Sequence, residues 1–228
     1  MRTGSAAPGA SASPGSGAGS VGPLPSVNLP TTPVSASIPR DGRTLGASTA
    51  PVTLDLWEDF QCPGCGNFSR AVEPIVIERY VAPGNLRVTF HDVAFLGQES
   101  QDAASAARCA DQQGKFWEYQ SIVYANQNGE NEGWFTRDRL EAFAAAAGVD
   151  TAAWATCYDG GGQRQAVVDE TKAGADAGVS STPTLALNGQ LVPIDTLSSW
   201  NDLYPLIDKA IAAAGSSGSS VSPPSTTP

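Results

Sequence analysis

The sequence predicts an α/β fold in which helices flank a mixed sheet and an all-helical subdomain is inserted into the chain. Three observations support this. A strand–helix–strand pattern comes first, a long block of helical patterns follows, and the chain then returns to two short strands and a last helix. Two strands joined through a helix, together with an antiparallel hairpin, predict a mixed sheet of at least four strands.

The first half of the sheet comes directly before and after a helix. Val52–Trp57 alternates in polarity and is rich in β-branched and aromatic residues, as is typical of a strand. Apolar residues then recur at helical spacing over residues 68–81, where Pro74 should kink the helix. Leu86–Phe90 is the second predicted strand.

The predicted insertion spans about residues 97–178 and contains only helical patterns. These cover residues 100–113, 116–123, 137–147, 150–158 and 163–177. The last of them ends at Gly178, a plausible glycine for a helix C-terminus.

A hairpin and a helix complete the pattern. Residues 184–187 and 190–194 flank Asn188-Gly189, which is the strongest signal for a two-residue hairpin turn. A last helix is predicted from about Leu197 to Ala214.

The two ends of the chain differ in composition from its middle. Residues 1–43 and 215–228 are rich in Gly, Ser, Ala and Pro, and their few apolar side chains cannot offset the entropy lost on ordering. We expect both ends to be disordered and residues 44–214 to form one domain. The first segment resembles a tether, which favours an extracytoplasmic domain whose anchor is missing. The lack of an apolar signal-peptide stretch leaves a cytoplasmic location open.

Composition excludes several classes of function. Asp and Glu number 23 and Lys and Arg 13, so the formal net charge is −10 and nucleic acid would be repelled. No run of about 18 apolar residues predicts a membrane span. The chain has one histidine, His91, which excludes a His-rich metal site and is expected to be structural or at the surface.

Cys62-Pro63-Gly64-Cys65 lies where the first predicted strand meets the first helix. Pro63 suits the first helical position, so Cys62 should face the unpaired N–H groups of the helix N-terminus. That position favours a nucleophilic thiolate, and Cys65 is placed to resolve a mixed disulfide. A zinc half-site and an inert disulfide are the alternatives. Zinc would need two further ligands, and no second C-x-x-C or paired His exists, so we expect neither metal nor cofactor.

Four motifs together resemble the DsbA-like thiol–disulfide oxidoreductases of the thioredoxin superfamily. They are Trp57–Cys65, Gln113–Trp117, Thr182-Pro183-Thr184 and Asn188-Gly189. The resemblance covers roughly residues 44–212 and implies a thioredoxin-like fold with a helical insertion. It also implies that Pro183 has a cis peptide bond facing the cysteine pair. Thr182 would then offer backbone hydrogen bonds to an extended substrate peptide.

The chain departs from the family pattern in two places. The residues between the cysteines are Pro63-Gly64 rather than Pro-His, so Cys62 has no imidazolium neighbour. Many relatives carry a buried acid six residues before the first cysteine, where this chain has Leu56. Asp55 and Glu58 are the nearest substitutes, and Glu58 is the candidate proton relay.

Cys109 and Cys157 lie in two different helices of the predicted insertion. Some relatives carry cysteines at both places, and the resemblance implies a structural disulfide between them. Two buried free thiols are the alternative. A disulfide would indicate an oxidising compartment.

The sequence therefore predicts a monomeric enzyme that exchanges disulfides with cysteines of substrate proteins. An oxidant is favoured over a reductase or isomerase, and an unidentified redox partner would reset the pair. A peptide-binding holdase that uses the Thr182-Pro183 groove with little redox turnover is the alternative from another class.

Overall fold

A six-stranded mixed sheet forms the centre of the fold. The structure is a computed structural model that describes Met1 and residues 25–217. Its strands are β1 (Arg40–Asp41), β2 (Thr44–Leu45), β3 (Val52–Glu58), β4 (Leu86–Asp92), β5 (Thr184–Leu187) and β6 (Gln190–Leu191). They are ordered β1-β2-β4-β3-β5-β6; β3 and β4 are parallel and the other neighbours antiparallel. The predicted fold class is confirmed.

The parallel pairing of β3 with β4 determines where the functional residues meet. Both strands bury every second residue, as their alternating sequences predict. Their register pairs Val52 with Leu86 and Glu58 with Asp92. The segments that follow the two strands therefore leave the sheet at the same edge, and the one after β3 leads to Cys62.

The helices surround this sheet and form the insertion. They are α1 (Pro63–Ala71), α2 (Glu73–Val76), α3 (Gln98–Asp111), α4 (Phe116–Ala125), α5 (Arg137–Ala146), α6 (Thr151–Asp159), α7 (Arg164–Asp176) and α8 (Leu203–Ser217). Helices α3 to α7 lie between β4 and β5, which confirms the predicted helical insertion. The single helix predicted over residues 68–81 is instead broken at Val72, two residues before Pro74, and α2 continues as a π-helical turn over Ile77–Val81.

The last strand and helix are shorter than the sequence predicts. The strand predicted to reach Ile194 ends at Leu191, because Pro193 has no N–H with which to extend the ladder. The helix predicted from Leu197 begins at Leu203, after a short 3₁₀ turn. Both predicted elements exist, and the error lies in their ends.

Two turn predictions are confirmed by the backbone. Asn188 and Gly189 have φ values of 50° and 77°, as a type I′ hairpin turn requires. Asn188 also fixes the hairpin to β3, since its side chain accepts a hydrogen bond from the N–H of Thr53 at 2.9 Å. Gly178 follows α7 with a φ of 91°, the left-handed conformation typical of a helix C-terminus.

The folded part of the chain begins before residue 44. β1 and β2 form an edge hairpin, Ile38 is buried, and the N–H of Asn28 donates to the side chain of Asn126 at 2.9 Å. Part of the segment interpreted as a linker therefore packs on the domain. Two-residue strands are too short to produce a periodic pattern. The predicted disorder of residues 2–24 and 218–228 lies outside the described residues.

A disulfide joins two helices of the insertion. Cys109 of α3 is bonded to Cys157 of α6, and their Cα atoms are 5.8 Å apart. Trp154, also on α6, is fully buried and donates its indole N–H to the carbonyl of Ala106 at 2.9 Å. A covalent bond and a buried hydrogen bond thus hold α6 against α3.

Replacing Cys109 and Cys157 together by Ala should lower the free energy of unfolding. The cysteines are 48 residues apart, and for such a loop the chain-entropy estimate is about 4 kcal/mol, an upper figure. Urea unfolding and thermal melting of the oxidised protein and the variant would measure the loss. Equal stabilities, or two free thiols at these positions in air-handled wild-type protein, would contradict the prediction.

His91 connects the sheet to the insertion. Its Nε2 lies 3.1 Å from Asp55 Oδ1 on β3, and its Nδ1 lies 3.2 Å from Glu170 Oε1 on α7. The ring stacks on Trp57 at a centroid distance of 4.9 Å. Burial alone would lower the pKa of His91, but the hydrogen bonds to the two carboxylates outweigh it and raise the pKa to about 9.

Two arginines extend this network. Arg43, beside β2, and Arg108, on α3, each form ion pairs with the buried Asp92 and with Glu170. The edge hairpin, strand β4 and the insertion therefore meet at this network of ion pairs.

His91→Gln should change how stability depends on pH. The pKa of His91 is about 9 in the folded protein, against an ordinary value of 6.5. A raised pKa gives stability that is fully present below the unfolded value and is lost as pH rises through the folded one. Urea unfolding of the oxidised protein should therefore show stability falling between about pH 6.5 and 9, and less steeply in the variant. Identical slopes would contradict this.

Candidate active site

Cys62 stands at the start of α1. Its backbone is extended, with φ −64° and ψ 121°, and its carbonyl accepts the first helical hydrogen bond from Gly66 at 3.1 Å. Pro63 occupies the first turn. The side chain therefore lies where the N–H groups of the first turn have no helical partner and the helix dipole is positive.

Hydrogen bonding to the sulfur of Cys62 favours its thiolate form. A hydrogen bond with the thiol of Cys65 makes the largest contribution and lowers the pKa of Cys62. Burial raises this pKa, whereas hydrogen bonds with the Thr182 side chain and with the backbone of Cys65 and Gly64 lower it further. Together they lower the pKa of Cys62 to about 6. The protonated thiol also reaches the carbonyl of Thr182, at 3.2 Å.

Cys65 has the opposite environment. It is fully buried one turn inside α1. Burial, its hydrogen bond to Cys62 and the nearby Glu58 raise the pKa of Cys65 well above its usual value. The two sulfurs are free thiols in this structure, one favouring the thiolate and the other the neutral form.

The Thr182-Pro183 loop faces the cysteine pair. The peptide bond between these two residues is cis. A Cβ atom placed on Gly64 would lie 3.1 Å from Pro183 Cδ and 3.6 Å from Cys62 Sγ. Gly64 thus lets the loop approach the sulfurs closely, and a larger residue there would require the loop to move by a few tenths of an ångström.

Glu58 lies beside the pair, whereas Asp55 does not. Glu58 is 1% exposed, and neither of its carboxylate oxygens has a hydrogen-bond partner among the described residues. Burial and the neighbouring Glu73 raise the pKa of Glu58 well above its usual value. Asp55 instead pairs with His91, and Leu56 is buried in the apolar core.

Asp59 is a functional residue that the sequence analysis missed. Its buried carboxylate accepts hydrogen bonds from the N–H groups of Gln61, Phe95 and Leu96 at 2.8, 3.1 and 3.1 Å. The hydroxyl of Ser100 donates to it at 2.6 Å. The carboxylate of Asp59 thus joins the segments that follow β3 and β4. The sequence gives no signal for this role, because three of the four donors are distant from Asp59 in the chain.

Gln127, which follows α4, was also missed. Its side-chain amide donates to the carbonyls of Phe60 and Cys62 at 2.7 and 3.0 Å. Gly66 leaves room for it, since a Cβ atom there would lie 1.8 Å from Gln127 Oε1. Gln127 therefore fixes the backbone of Phe60 and Cys62, on either side of Gln61.

The fold and this cysteine pair define a thioredoxin-type protein. The family model described as Thioredoxin matches residues 40–209, and the chain belongs to that family. The family resemblance predicted from the motifs is confirmed.

Similar proteins point to the DsbA-like branch of the fold. The chain is 33% identical to the probable disulfide bond formation protein D of Bacillus cereus over 100 aligned residues, which make up 43% of this chain and 46% of the relative. The chain thus spans about half the length of the curated relatives it matches. Among solved structures, it is similar to BdbD from Bacillus subtilis, with a TM-score of 0.69 and 21% identity over 75% of this chain and 93% of that one. Chlamydia trachomatis DsbA gives a TM-score of 0.67 and 19% identity over 83% and 98%.

Limited alkylation of the reduced protein should modify Cys62 before Cys65. Its rate should rise through about pH 6, where the thiolate of Cys62 forms. Peptide mapping and thiolate absorbance would measure both. In the variant Cys65→Ser, the pKa of Cys62 should rise, because the thiol–thiol hydrogen bond that lowers it is lost. Preferential labelling of Cys65 would reverse the assignment.

Proposed function

We propose that this chain is a thiol–disulfide oxidoreductase that exchanges disulfides with cysteines of substrate proteins. The unequal environments of Cys62 and Cys65 carry the proposal. Cys62 lies at a helix start with a lowered pKa, and Cys65 is buried with a raised one. One sulfur is therefore a nucleophile and leaving group near neutral pH, and the other is a neutral resolving thiol. Similarity to a probable disulfide bond formation protein supports the same activity.

The favoured direction is oxidation of the substrate. Hydrogen-bond donors stabilise the thiolate of Cys62 and therefore the reduced form of the pair. Because the reduced form is stabilised, the Cys62–Cys65 disulfide is a stronger oxidant. Pro63-Gly64 supplies no imidazolium, so the stabilisation comes from the Cys65 thiol, Thr182 and the helix start.

Oxidation proceeds in two exchanges. A substrate thiolate attacks Cys62 Sγ, the Cys62–Cys65 bond breaks, and Cys65 leaves as a thiolate that takes a proton from Glu58. A second substrate thiolate then attacks the substrate sulfur of the mixed disulfide, and Cys62 leaves as a thiolate. Two electrons pass from the substrate to the pair. Glu58 suits this relay because its raised pKa keeps it protonated beside Cys65.

Thr182 and Pro183 form the substrate-binding loop in this proposal. The carbonyl of Thr182 lies 3.2 Å from Cys62 Sγ, and Thr182 is half-buried. An extended peptide that pairs with the backbone of Thr182 would bring its own cysteine to Cys62.

We infer an extracytoplasmic location and a separate disulfide-bearing redox partner. The Cys109–Cys157 disulfide is typical of oxidising compartments.

Within residues 25–217, no helix is long and apolar enough to cross a bilayer. The same part of the chain has no group of three or more His, Cys, Asp or Glu residues placed to hold a metal. The net charge of −10 disfavours nucleic acid as a partner, and we infer that the chain acts as a monomer.

The test is oxidation of a reduced two-cysteine peptide, with glutathione disulfide as the terminal oxidant. Cys62→Ser should abolish turnover. Cys65→Ser cannot close the Cys62–Cys65 disulfide, so without peptide its Cys62 should stay bonded to glutathione, an added mass that mass spectrometry detects. The double variant with Ala at positions 109 and 157 is the matched control and should keep turnover. Full activity of Cys62→Ser would overturn the proposal. If that variant also prevented aggregation of an unfolded protein as well as wild type does, the holdase alternative would be favoured.

A further inference from the structure

Glu73 is a buried acid that the disulfide exchange described above does not use. Glu73, the first residue of α2, is 3% exposed, and Glu58, the last residue of β3, is 1% exposed. Among the described residues, neither carboxylate forms an ion pair. Ionising both in the core would be costly, so the pair retains a proton near neutral pH. Consistently, burial raises the pKa of Glu73 to about 7.

A polar stripe connects Glu73 with the region of the cysteines. Cys65 and Ser69 lie one turn apart on α1, and Gln120 and Tyr124 lie one turn apart on the neighbouring α4. The hydroxyl of Ser69 donates to Glu73 Oε2 at 2.9 Å, and the amide of Gln120 donates to the same oxygen at 3.1 Å. These polar groups are buried in an otherwise apolar core.

Glu58 stands at the inner end of the stripe, because the hydroxyl of Tyr124 donates to the carbonyl of the adjacent Asp59 at 3.4 Å. Glu73 raises the pKa of Glu58, and Glu58 in turn raises the pKa of Cys65 and of Tyr124. Both oxygens of Glu58 and Oε1 of Gln120 are buried acceptors without a hydrogen-bond donor among the described residues. A proton held on either carboxylate supplies the donor that this region lacks.

Glu73 stands at the outer end. A cleft of about 460 Å³ lies between residues 28–35 and the helices α1, α2 and α4. Glu73 and Ser69 line this cleft, whereas Glu58 and Cys65 do not. Of the two buried acids, only Glu73 thus borders a space that is open to water.

We propose that Glu73 carries the protons of the redox cycle between Glu58 and water in the cleft. This inference rests on the proposed function and adds the place where its protons enter and leave. When a substrate thiolate bonds to Cys62 and the Cys62–Cys65 bond breaks, Cys65 takes the proton of Glu58. Glu58 is then reprotonated by Glu73, which takes a proton from the cleft.

Reoxidation by an external disulfide reverses the path. The thiolate of Cys62 attacks that disulfide and releases its first thiolate. Glu73 then releases a proton to the cleft and takes the proton of Glu58, which leaves Glu58 as a carboxylate. Cys65 gives its proton to this carboxylate and attacks Cys62 Sγ, which releases the second thiolate. Two electrons leave the pair, and one proton leaves through Glu73.

Other charged groups near Glu73 are few. Arg70 of α1 and Glu78 of the π-helical turn also line the cleft. Arg70 donates to the carbonyl of Tyr124 at 2.5 Å, so it does not neutralise Glu73, and Glu78 is exposed. Residues 28–35 carry no charged side chain. The pH dependence attributed to Glu73 thus arises from the pair that it forms with Glu58.

The experiment compares Glu73→Gln with Glu78→Gln, a matched control from the same cleft. The Gln side chain keeps the size of Glu and can still accept from Ser69. With the peptide oxidation assay, Glu73→Gln should lower kcat about fivefold with unchanged KM, increase the solvent deuterium isotope effect and lose the inflection near pH 7. The pKa of Cys62 should stay near 6, and Glu78→Gln should behave as wild type. A wild-type kcat and pH profile in Glu73→Gln would overturn the inference.

Failure of the inference is distinguishable from failure of the proposed function. If wild type does not oxidise the peptide at all, the function fails; if wild type and all Glu variants turn over alike, only the role of Glu73 fails. Should Glu73→Gln not fold, carboxyl carbon-13 NMR of wild type decides. Glu73 should titrate at a different pH in the oxidised and reduced proteins, and identical curves would overturn the proposal.

Discussion

The buried carboxylate of Asp59 holds the active site together. It accepts hydrogen bonds from the segment that leads to Cys62, from the segment after β4, and from Ser100 at the start of the insertion. Burial raises the pKa of Asp59, and these hydrogen bonds oppose that rise. A buried carboxylate without such donors is costly, so all three segments must be in place before its charge is tolerated. Folding of the insertion and geometry of the cysteine pair are therefore coupled through one side chain.

Sequence patterns predicted the elements that depend on local chemistry. The alternation of Val52–Trp57, the Asn188-Gly189 turn and the helical insertion all follow from periodicity or from backbone conformation. Residues whose roles depend on distant contacts were not predictable in this way. Gln127 reaches the carbonyl of Cys62 across 65 residues, and Gln120 reaches Glu73 across 47. The cis bond before Pro183 could be expected only from the family resemblance, because an X–Pro bond is usually trans.

The core of this domain carries more buried acid than stability alone would favour. Glu58, Glu73, Asp59 and Asp92 are all at most 3% exposed. Asp92 has two arginine partners and Asp59 has four hydrogen-bond donors, so their burial is compensated. Glu73 accepts hydrogen bonds from Ser69 and Gln120 but has no ion-pair partner, and neither oxygen of Glu58 has a hydrogen-bond partner among the described residues. The incompletely compensated burial of these two acids is consistent with a chemical rather than a structural reason for keeping them.

His91 gives the protein a natural spectroscopic probe. It is the only histidine of the chain, so its imidazole protons and nitrogens would appear as single NMR signals without selective labelling. The ring lies on β4, stacks on Trp57 of β3 and contacts Glu170 of α7. Its resonances therefore report on the boundary between the sheet and the insertion. Whether the insertion shifts while a substrate is attached to Cys62 could therefore be followed at one residue.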